Sequence, residues 1–596
     1  MRRSHLARGL TLTIALTITF AIGPVYLPVL QPSDLEAAAL QAPAAQPSPS
    51  PQPGRPPGAG AGHAPPRPGP SARGASVNPH RLPAAPPDGR QFQGREIPRH
   101  FPVDQATFRQ LKERANRAAD AAAEHKPEGP PGPAAGPAFP TLDRTQSNNG
   151  GDNFFWNPPD GALAVGPGDA VLVAVNQSFA IYSRAGALQV GPIGFRTFFD
   201  TSSSTFDPRA LFDAGNAAPG GYGGGKGRFV LLATTGNEYA LAVSRDDSPQ
   251  SPASSWCVYR LNAVFNSTSG PTTADFPGLG MDGDSLYITS NQFLAGDVFH
   301  SARLLVVPKA TVYPDTASGA CPTATSTDFP ELQNPLPGGG ASFTVQPAHQ
   351  PDARPGDTSA MYLVNAIWPD GSNLAVRSVT TTTTPTPTCT IPPCYSFSEL
   401  YWVSTGFIAP YTLPADARQP GSGAIDTFDT RLLGAVHRYG KIYTANTTRT
   451  VHRSLDPTAN AFANVQWYTI TPHPTMSFGA SAAVTNRNVA YYIPAVLPGC
   501  TTATTVEACP TPFVGLQVSG SGPRQPASAF SVRVTGGSPP TVARYQDGVA
   551  GYTLNSRWGD YPAVAADPTD ASKVWVLGEY AKATDTWGTA ISVIGP

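Results

Sequence analysis

Three features of the 596-residue chain predict an all-β protein, a seven-bladed β-propeller (six or eight blades also fit), preceded by a signal segment, a Pro-rich linker and one short helix. First, one loose unit recurs seven times beyond residue 141: a small or apolar run, a turn holding Gly, Asp or Asn, then a strongly apolar run. Second, charged residues make up only 14%, against roughly 25% in ordinary globular domains, while 67 Pro and 58 Gly supply the frequent turns that short strands need. Third, the first unit reads one strand short and the chain ends in a lone strand, Thr589 to Ile594. That terminal strand is expected to complete the first sheet and close the ring, hiding edges that an open ring would expose. A pair of β-sandwich domains is the competing arrangement.

In chain order, residues 1–39 read as a signal peptide or signal anchor. Arg2, Arg3 and Arg8 precede an uncharged apolar run, Leu10 to Ile22, and Ala37-Ala38-Ala39 offers a small-residue cleavage site. Uncleaved, the stretch to about Leu30 is just long enough to span a bilayer. Residues 40–100 are Pro, Ala and Gly with scattered Arg and lack the apolar periodicity that builds a core. They are expected to be a disordered linker. Residues 101–140 hold a short helix and more linker: Asp104 is its cap, and Phe108, Leu111, Ala115, Ala118 and Ala122 form a thin apolar stripe. The helix either docks on the domain or belongs to a pro-region. Residues 141–596 are the propeller domain.

Within that domain the units run Gly161–Asn176, Asp207–Thr234, Pro277–Asn291, a fourth containing Ala360–Asn365, Leu432–Asn446, Phe478–Ala495, and the closing stretch from Arg557. Their spacing is uneven because several connecting loops are long. The six cysteines, Cys257, Cys321, Cys389, Cys394, Cys500 and Cys509, all lie beyond the signal segment. An even number in an exported chain predicts disulfides; pairing Cys389–Cys394 and Cys500–Cys509 locally leaves Cys257 with Cys321.

Five pieces together resemble a family of exported bacterial β-propeller proteins, mostly hypothetical secreted or cell-surface proteins and distantly sialidase-like. They are Gly161 to Pro167, Asp207 to Asp213, Ser244 to Asp247 with Ser255-Trp256, Asp275 to Asp282, and Arg557 to Tyr561 with Gly578 to Tyr580 and Trp587 to Thr589. The resemblance covers about residues 150–596. It implies an extracytoplasmic propeller and lends no reaction, substrate or catalytic residue. The sialidase Asp-box is echoed by Ser244-Arg245-Asp246 and Trp256, with too long a spacing and no central Gly.

Motifs for chemistry are sparse. There is no Gly-x-Ser-x-Gly elbow and no His-x-His or His-Glu-x-x-His. The net charge of −1 and the absence of a basic stripe give no footprint for nucleic acid. Asp282-Gly283-Asp284 and Asp567 to Asp570 could offer oxygens to Ca²⁺, or simply form hairpin turns; no other cofactor and no other metal site is expected.

Two groups are candidate binding residues. The second apolar run ends in Asn176, Asn291, Asn365 and Asn446, with Glu579 at the matching place in the last unit. Superposed, these would ring one end of the propeller, either converging on a ligand or satisfying backbone groups. Arg557, Trp558, Asp560 and Tyr561 could clamp a carboxylate or stack on a sugar, or wedge between sheets. The expected function is a monomeric cell-surface or extracellular binding or scaffold module for a glycan or protein, touching membrane only through an uncleaved anchor. The alternative is a glycan-processing enzyme, a sialidase-like hydrolase or lyase, using acidic residues at the axial mouth.

Overall fold

In a computed structural model of the chain, the described residues are 65–85, 93–123, 138–334, 340–357, 360–382, 393–403, 410–421, 423–449, 462–472, 477–484, 486, 489–502, 505, 509–536, 540–554 and 557–595. The signal segment and Cys389 lie outside them. Residues 59–596 form one compact unit. The described residues are mainly β-strand with few helices, and none of those helices is long and apolar enough to cross a membrane.

Antiparallel strands follow one another in four-stranded meanders. The first holds Ala162–Val165, Val171–Val175, Ser178–Tyr182 and Leu188–Gly194; the second holds Phe206–Asp213, Arg228–Thr234, Glu238–Ser244 and Trp256–Asn262; the third holds Thr273–Met281, Ser285–Leu294, Val298–Pro308 and Thr327–Leu332. The fourth (Gln346–His349, Met361–Ala366, Leu374–Thr382, Cys394–Val403) and the fifth (Ala435–Arg438, Lys441–Thr448, Asn464–Thr471, Ser477–Val484) join through parallel pairing of Ala348 with Ala435 and His349 with Val436. The sixth holds Ala490–Cys500, Pro512–Gly522, Gln525–Val534 and Thr541–Gln546. The seventh holds Ala563–Ala566, Val574–Ala583, Thr586–Ile594 and a strand from the other end of the domain, Ala138–Asp143.

The first strands touch in cyclic order, each meeting the next and Ala563–Ala566 returning to Ala162–Val165. Their apolar alternation faces neighbouring sheets on both sides, so Leu172, Leu231, Ile288, Val364 and Val576 are all buried. The arrangement corrects the expected closure. The C-terminal strand Thr586–Ile594 is the third strand of the last sheet, and Ala138–Asp143 adds to its outer edge with Ile591 opposite Phe139. The first sheet already owns four strands, because Leu188–Gly194, whose pairing with Ser178–Tyr182 is interrupted by bulges, supplies the fourth. A second correction concerns the sixth unit: Ser477–Val484 pairs with Asn464–Thr471 as the outer strand of the fifth sheet, so the sixth begins at Ala490.

The described part of 40–100 is not free linker. Arg67–Pro68 extends the third sheet, Ala75–Val77 extends the second, and Gln93–Glu96 runs parallel to Phe154–Asn157. These pieces bring little apolar area of their own. What they supply is backbone donors and acceptors, and a sheet edge needs only those. The helix Gln105–Ala123 starts where the sequence indicates, with Asp104 Oδ1 accepting from the Ala106 and Thr107 amides at 2.9 Å each. Its Phe108 stacks on Phe101 with ring centroids 3.6 Å apart, and it docks on the domain through Asn116, which donates to Asp416 at 2.8 Å, and through Phe108, whose ring lies 6.5 Å from that of Trp368.

Two expected disulfides are present. Cys257–Cys321 ties the outer strand of the second sheet to the loop before the third sheet's last strand, and Cys500–Cys509 closes a hairpin loop of the sixth. Cys394 is disulfide-bonded, and its expected partner Cys389 falls outside the described residues.

Candidate functional site: a charged cluster under an N-terminal cap

Each chain crossing from one sheet to the next meets the ring at the same end. Six crossings carry a residue with left-handed backbone there: Asp160 (φ 45°), Asp207 (φ 56°), Phe276 (φ 52°), Thr344 (φ 51°), Phe428 (φ 68°) and Ile493 (φ 52°). Non-glycine residues rarely adopt φ > 0, and a β-branched Ile least readily. In the second, third and sixth sheets the kink precedes a proline, Asp207-Pro208, Phe276-Pro277 and Ile493-Pro494, and coincides with a break in strand register. The kinks bring side chains of successive crossings together at the centre of the ring.

Carboxylates lie deepest. Asp160 is fully buried, and its Oδ1 accepts from the Asp560 amide at 2.5 Å while Oδ2 accepts from Asn176 Nδ2 at 2.5 Å. Asn176 Oδ1 in turn accepts from the Asp207 amide at 2.8 Å, and Asp207 Oδ2 accepts from Tyr561 Oη at 3.1 Å. Glu579 Oε2 accepts from the Gly559 amide at 2.9 Å, whereas its Oε1 is buried without a partner. Burial, followed by the charge of Asp560, raises the Asp160 pKa to about 7. Burial likewise raises Asp207 and Glu579 well above the usual carboxylate range. Asp560 moves the other way: burial opposes its charge, but Arg557 and Arg99 outweigh it and lower the pKa.

Arginines alternate with aromatic rings above this floor. The Arg209 guanidinium lies 3.5 Å from the Tyr561 ring centroid. That of Arg431 sits 4.5 Å from Phe276, 4.5 Å from Phe343 and 4.3 Å from Phe428. Arg431 pairs with Asp429 at 2.8 Å, and its Nη1 is buried without a partner.

The chain's own N-terminal segment closes the top. Arg99 bridges Asp560 (2.7 Å) and Asp426, and its guanidinium lies 4.3 Å from the Phe428 ring. His100 lies 3.3 Å from Asp275 and 3.2 Å from Asp297; burial alone would lower its pKa, but these carboxylates raise it. Phe101 is buried in the same core. Lys112 of the helix donates to Phe428 O at 2.7 Å and pairs with Asp416 and Asp426 at 3.1 and 3.3 Å.

The sequence candidates therefore divide. Arg557, Trp558, Asp560, Tyr561, Glu579 and Asn176 come together here, all buried. Trp558 packs edge-on against Tyr552 and donates from Nε1 to Ser519, a wedge between sheets. Asn291, Asn365 and Asn446 do not join them. Asn291 bonds Thr344 through both amide atoms, Asn365 takes Arg377 and Asn334, and Asn446 donates to Thr430 O. Of the two roles considered for these amides, their bonding fits the satisfaction of groups within the chain. All four are fully buried and serve the chain crossings, because a strand that turns away leaves backbone groups an amide can satisfy. Sequence reading missed Asp160, Asp207, Arg209, Arg431 and the cap; the kinked Asp207-Pro208 and Phe276-Pro277 pairs were the available signal.

The opposite end of the ring is open. A channel lined by residues of all seven first strands, among them Leu163, Leu279, Pro347 and Val496, leads to a mouth of about 300 Å³. His349, Asp352, Arg354 and Asp567 are its titratable lining. Among the described residues no group of three or more His, Cys, Asp or Glu could hold a metal ion. The two turns considered for Ca²⁺ are internally bonded: Asp282 accepts from the Asp284 and Ser285 amides and Tyr287, and Asp567 from Trp575 and Arg184.

No protein-family model matches the chain, and no curated protein matches it. Among solved structures, a chain from an S. cerevisiae complex of a Dbp5 variant bound to Nup159, a Gle1 variant, IP6 and ADP is similar over 77% of this chain and 94% of that one, at 8% identity and a TM-score of 0.29.

Proposed function

We propose that residues 138–595 are a seven-bladed β-propeller and that the protein works outside the cytoplasm, as a monomeric binding or scaffold module for a glycan or protein, without nucleic acid. The fold reading rests on four-stranded meanders whose first strands touch in a closed circle. Export rests on the signal-like N-terminus and the disulfides. One observation carries the binding reading: arginines, aromatic rings and carboxylates from separate sheets converge at one end of a ring whose centre opens at the other. A glycan array and a peptide array probed with the full chain test it. Saturable binding to one class is expected; no binding to either overturns it.

The glycan-processing alternative has one specific observation in its favour. Asp160, whose Oδ1 accepts from the Asp560 main-chain amide, and Asp560 have pKa values driven apart, as an acid and its partner base require. Release of a fluorogenic leaving group from aryl glycosides, lost in Asp160→Asn, would support it over simple binding.

A further inference from the structure

We propose that the capped end is a peptide-binding site, filled in cis by Arg99-His100-Phe101, whose ligand in trans is an extended segment of another protein carrying a basic residue followed by an aromatic one. The proposal rests on the binding reading above and names the partner of that site.

The first argument is how the segment is held. Domain arginines take its main chain: Arg557 donates to Ile97 O, and Arg431 donates to His100 O at 3.3 Å. Just upstream, Gln93–Glu96 adds as a parallel strand to Phe154–Asn157, and the Ile97 amide donates to Asn157 O at 2.8 Å. Strand addition with carbonyl clamps reads backbone, so any extended chain can supply it. Pro98 and Pro102 flank the triplet and keep it extended, the conformation such a groove selects.

Charge is the second argument. Arg99, His100 and Lys112 face Asp560, Asp426 and Asp275 on the domain. Without the segment Asp426 would lose Arg99 and Lys112, Asp275 would lose His100, and Asp560 would keep Arg557 alone of its two ion-pair partners; an arginine-bearing peptide restores the missing charge. Asp160 and Glu579 lie beneath as carboxyl groups whose charge burial disfavours, so the charge complementarity rests on Asp560, Asp426 and Asp275. Among the buried polar atoms there without a partner are Arg431 Nη1 and Glu579 Oε1, which the resident segment leaves unused. The third argument is the rings. On the domain Phe428 lies against Arg99 and 6.5 Å from Phe101, and Arg431 lies 5.7 Å from the Phe101 ring, so the domain offers a flat face to a guanidinium and a face to an aromatic side chain.

The test keeps the whole chain. Protease sites placed within residues 86–92 and 124–137 are both cut after folding, leaving residues 93–123 held only by their contacts. The probe is a fluorescein-labelled peptide of residues 93–123. The cut protein is expected to exchange its cap for the probe and bind it at least 100-fold more tightly than the uncut protein does. A probe with Arg99→Ala and Phe101→Ala should bind at least 10-fold more weakly, as should the intact probe to cut protein carrying Asp560→Asn. A decapeptide array on the cut protein should then select basic-aromatic sequences. If cut and uncut proteins melt alike and no probe exchanges over days, the cap is a fixed part of the fold and the proposal falls. Equal binding of the double-alanine probe, or array hits without basic residues, also overturns it. Failure of exchange alongside a glycan hit for the uncut chain would sink this inference and leave the binding reading standing.

Discussion

The two ends of the ring are built from the same seven strands and differ in how the chain passes them. At the capped end the chain crosses between sheets, and its kinks throw Asp160, Asp207, Phe276 and Phe428 into the centre. The space left beside Glu579 is about 10 Å³, room for a single water. At the other end each first strand turns back on its own sheet, as at Tyr439-Gly440, where both residues have positive φ in a tight hairpin. Such turns leave the centre free, and the mouth there holds about 300 Å³. A crossing therefore fills the ring and a hairpin leaves it open. Coulombic pairing should dominate stability at the first end and desolvation at the second.

The largest expected effect breaks the contrast if it fails. Arg99→Met leaves Asp560 with Arg557 as its main remaining cation and Asp426 with Lys112, so stability to urea at pH 7 should fall by about 3–5 kcal/mol. Asp352→Asn at the open mouth weakens a pair with the buried Arg438 whose carboxylate is 32% exposed and whose amide replacement keeps one acceptor, and should cost less, about 1–2 kcal/mol. Equal costs would mean that the two ends do not differ in this way.

Acid should act on the ends in opposite directions. Burial lowers His349 at the open mouth to about 4, among Asp213, Lys309 and Arg438. Its folded pKa lies below the unfolded value near 6.5, so the stability that comes from staying neutral is complete above pH 6.5. It is lost as pH falls toward 4, by about 3 kcal/mol. Asp160 has a folded pKa of about 7, above the ordinary 3.8 of an aspartate, so the fold gains stability as pH falls across that window. Unfolding curves from pH 7 to 4 check both. Relative to the parent, His349→Gln should gain stability toward pH 4 and Asp160→Asn toward pH 7. Parallel curves for the two variants would remove the electrostatic half of the contrast.

What was legible in the sequence follows the same division. Hairpins announce themselves through Asp, Asn and Gly between apolar runs, and five of the seven starting points fell close to the observed first strands. The rule fails where a crossing looks like a hairpin. Asn486 and its neighbours resemble a turn within a sheet, although they separate the fifth sheet from the sixth. Closure was read from the wrong terminus because Ala138–Asp143 has a proline and only a short apolar run, enough for an outer strand but not for recognition. The Arg557 to Tyr561 cluster and Glu579 stood out by composition. Arg99 and Phe101 did not, since a Pro-rich stretch shows no periodicity, and its partners lie more than 300 residues away in sequence.

Steric room gives the next test. A methyl group on Gly559 would meet Glu579 Oε2 at 2.8 Å, in a cluster with almost no free space. Gly559→Ala should therefore cost about 1–3 kcal/mol, read as a lower midpoint of thermal unfolding. A smaller cost would show that the cluster can relax.

The smallest expected effect is at the open mouth. Ala214 lines it beside Phe212 and Asp352, and the cavity exceeds the volume that a leucine side chain adds. Ala214→Leu should change stability by no more than about 0.5 kcal/mol, because nothing is displaced and the new methyl groups exchange water for Leu211 and Leu497. The same variant blocks the entrance to the channel. Any ligand that enters from this side should then bind at least ten-fold more weakly, while a peptide held at the capped end should bind as before. Loss of both would place the ligand across the channel and merge two ends that the crossings and hairpins otherwise keep apart.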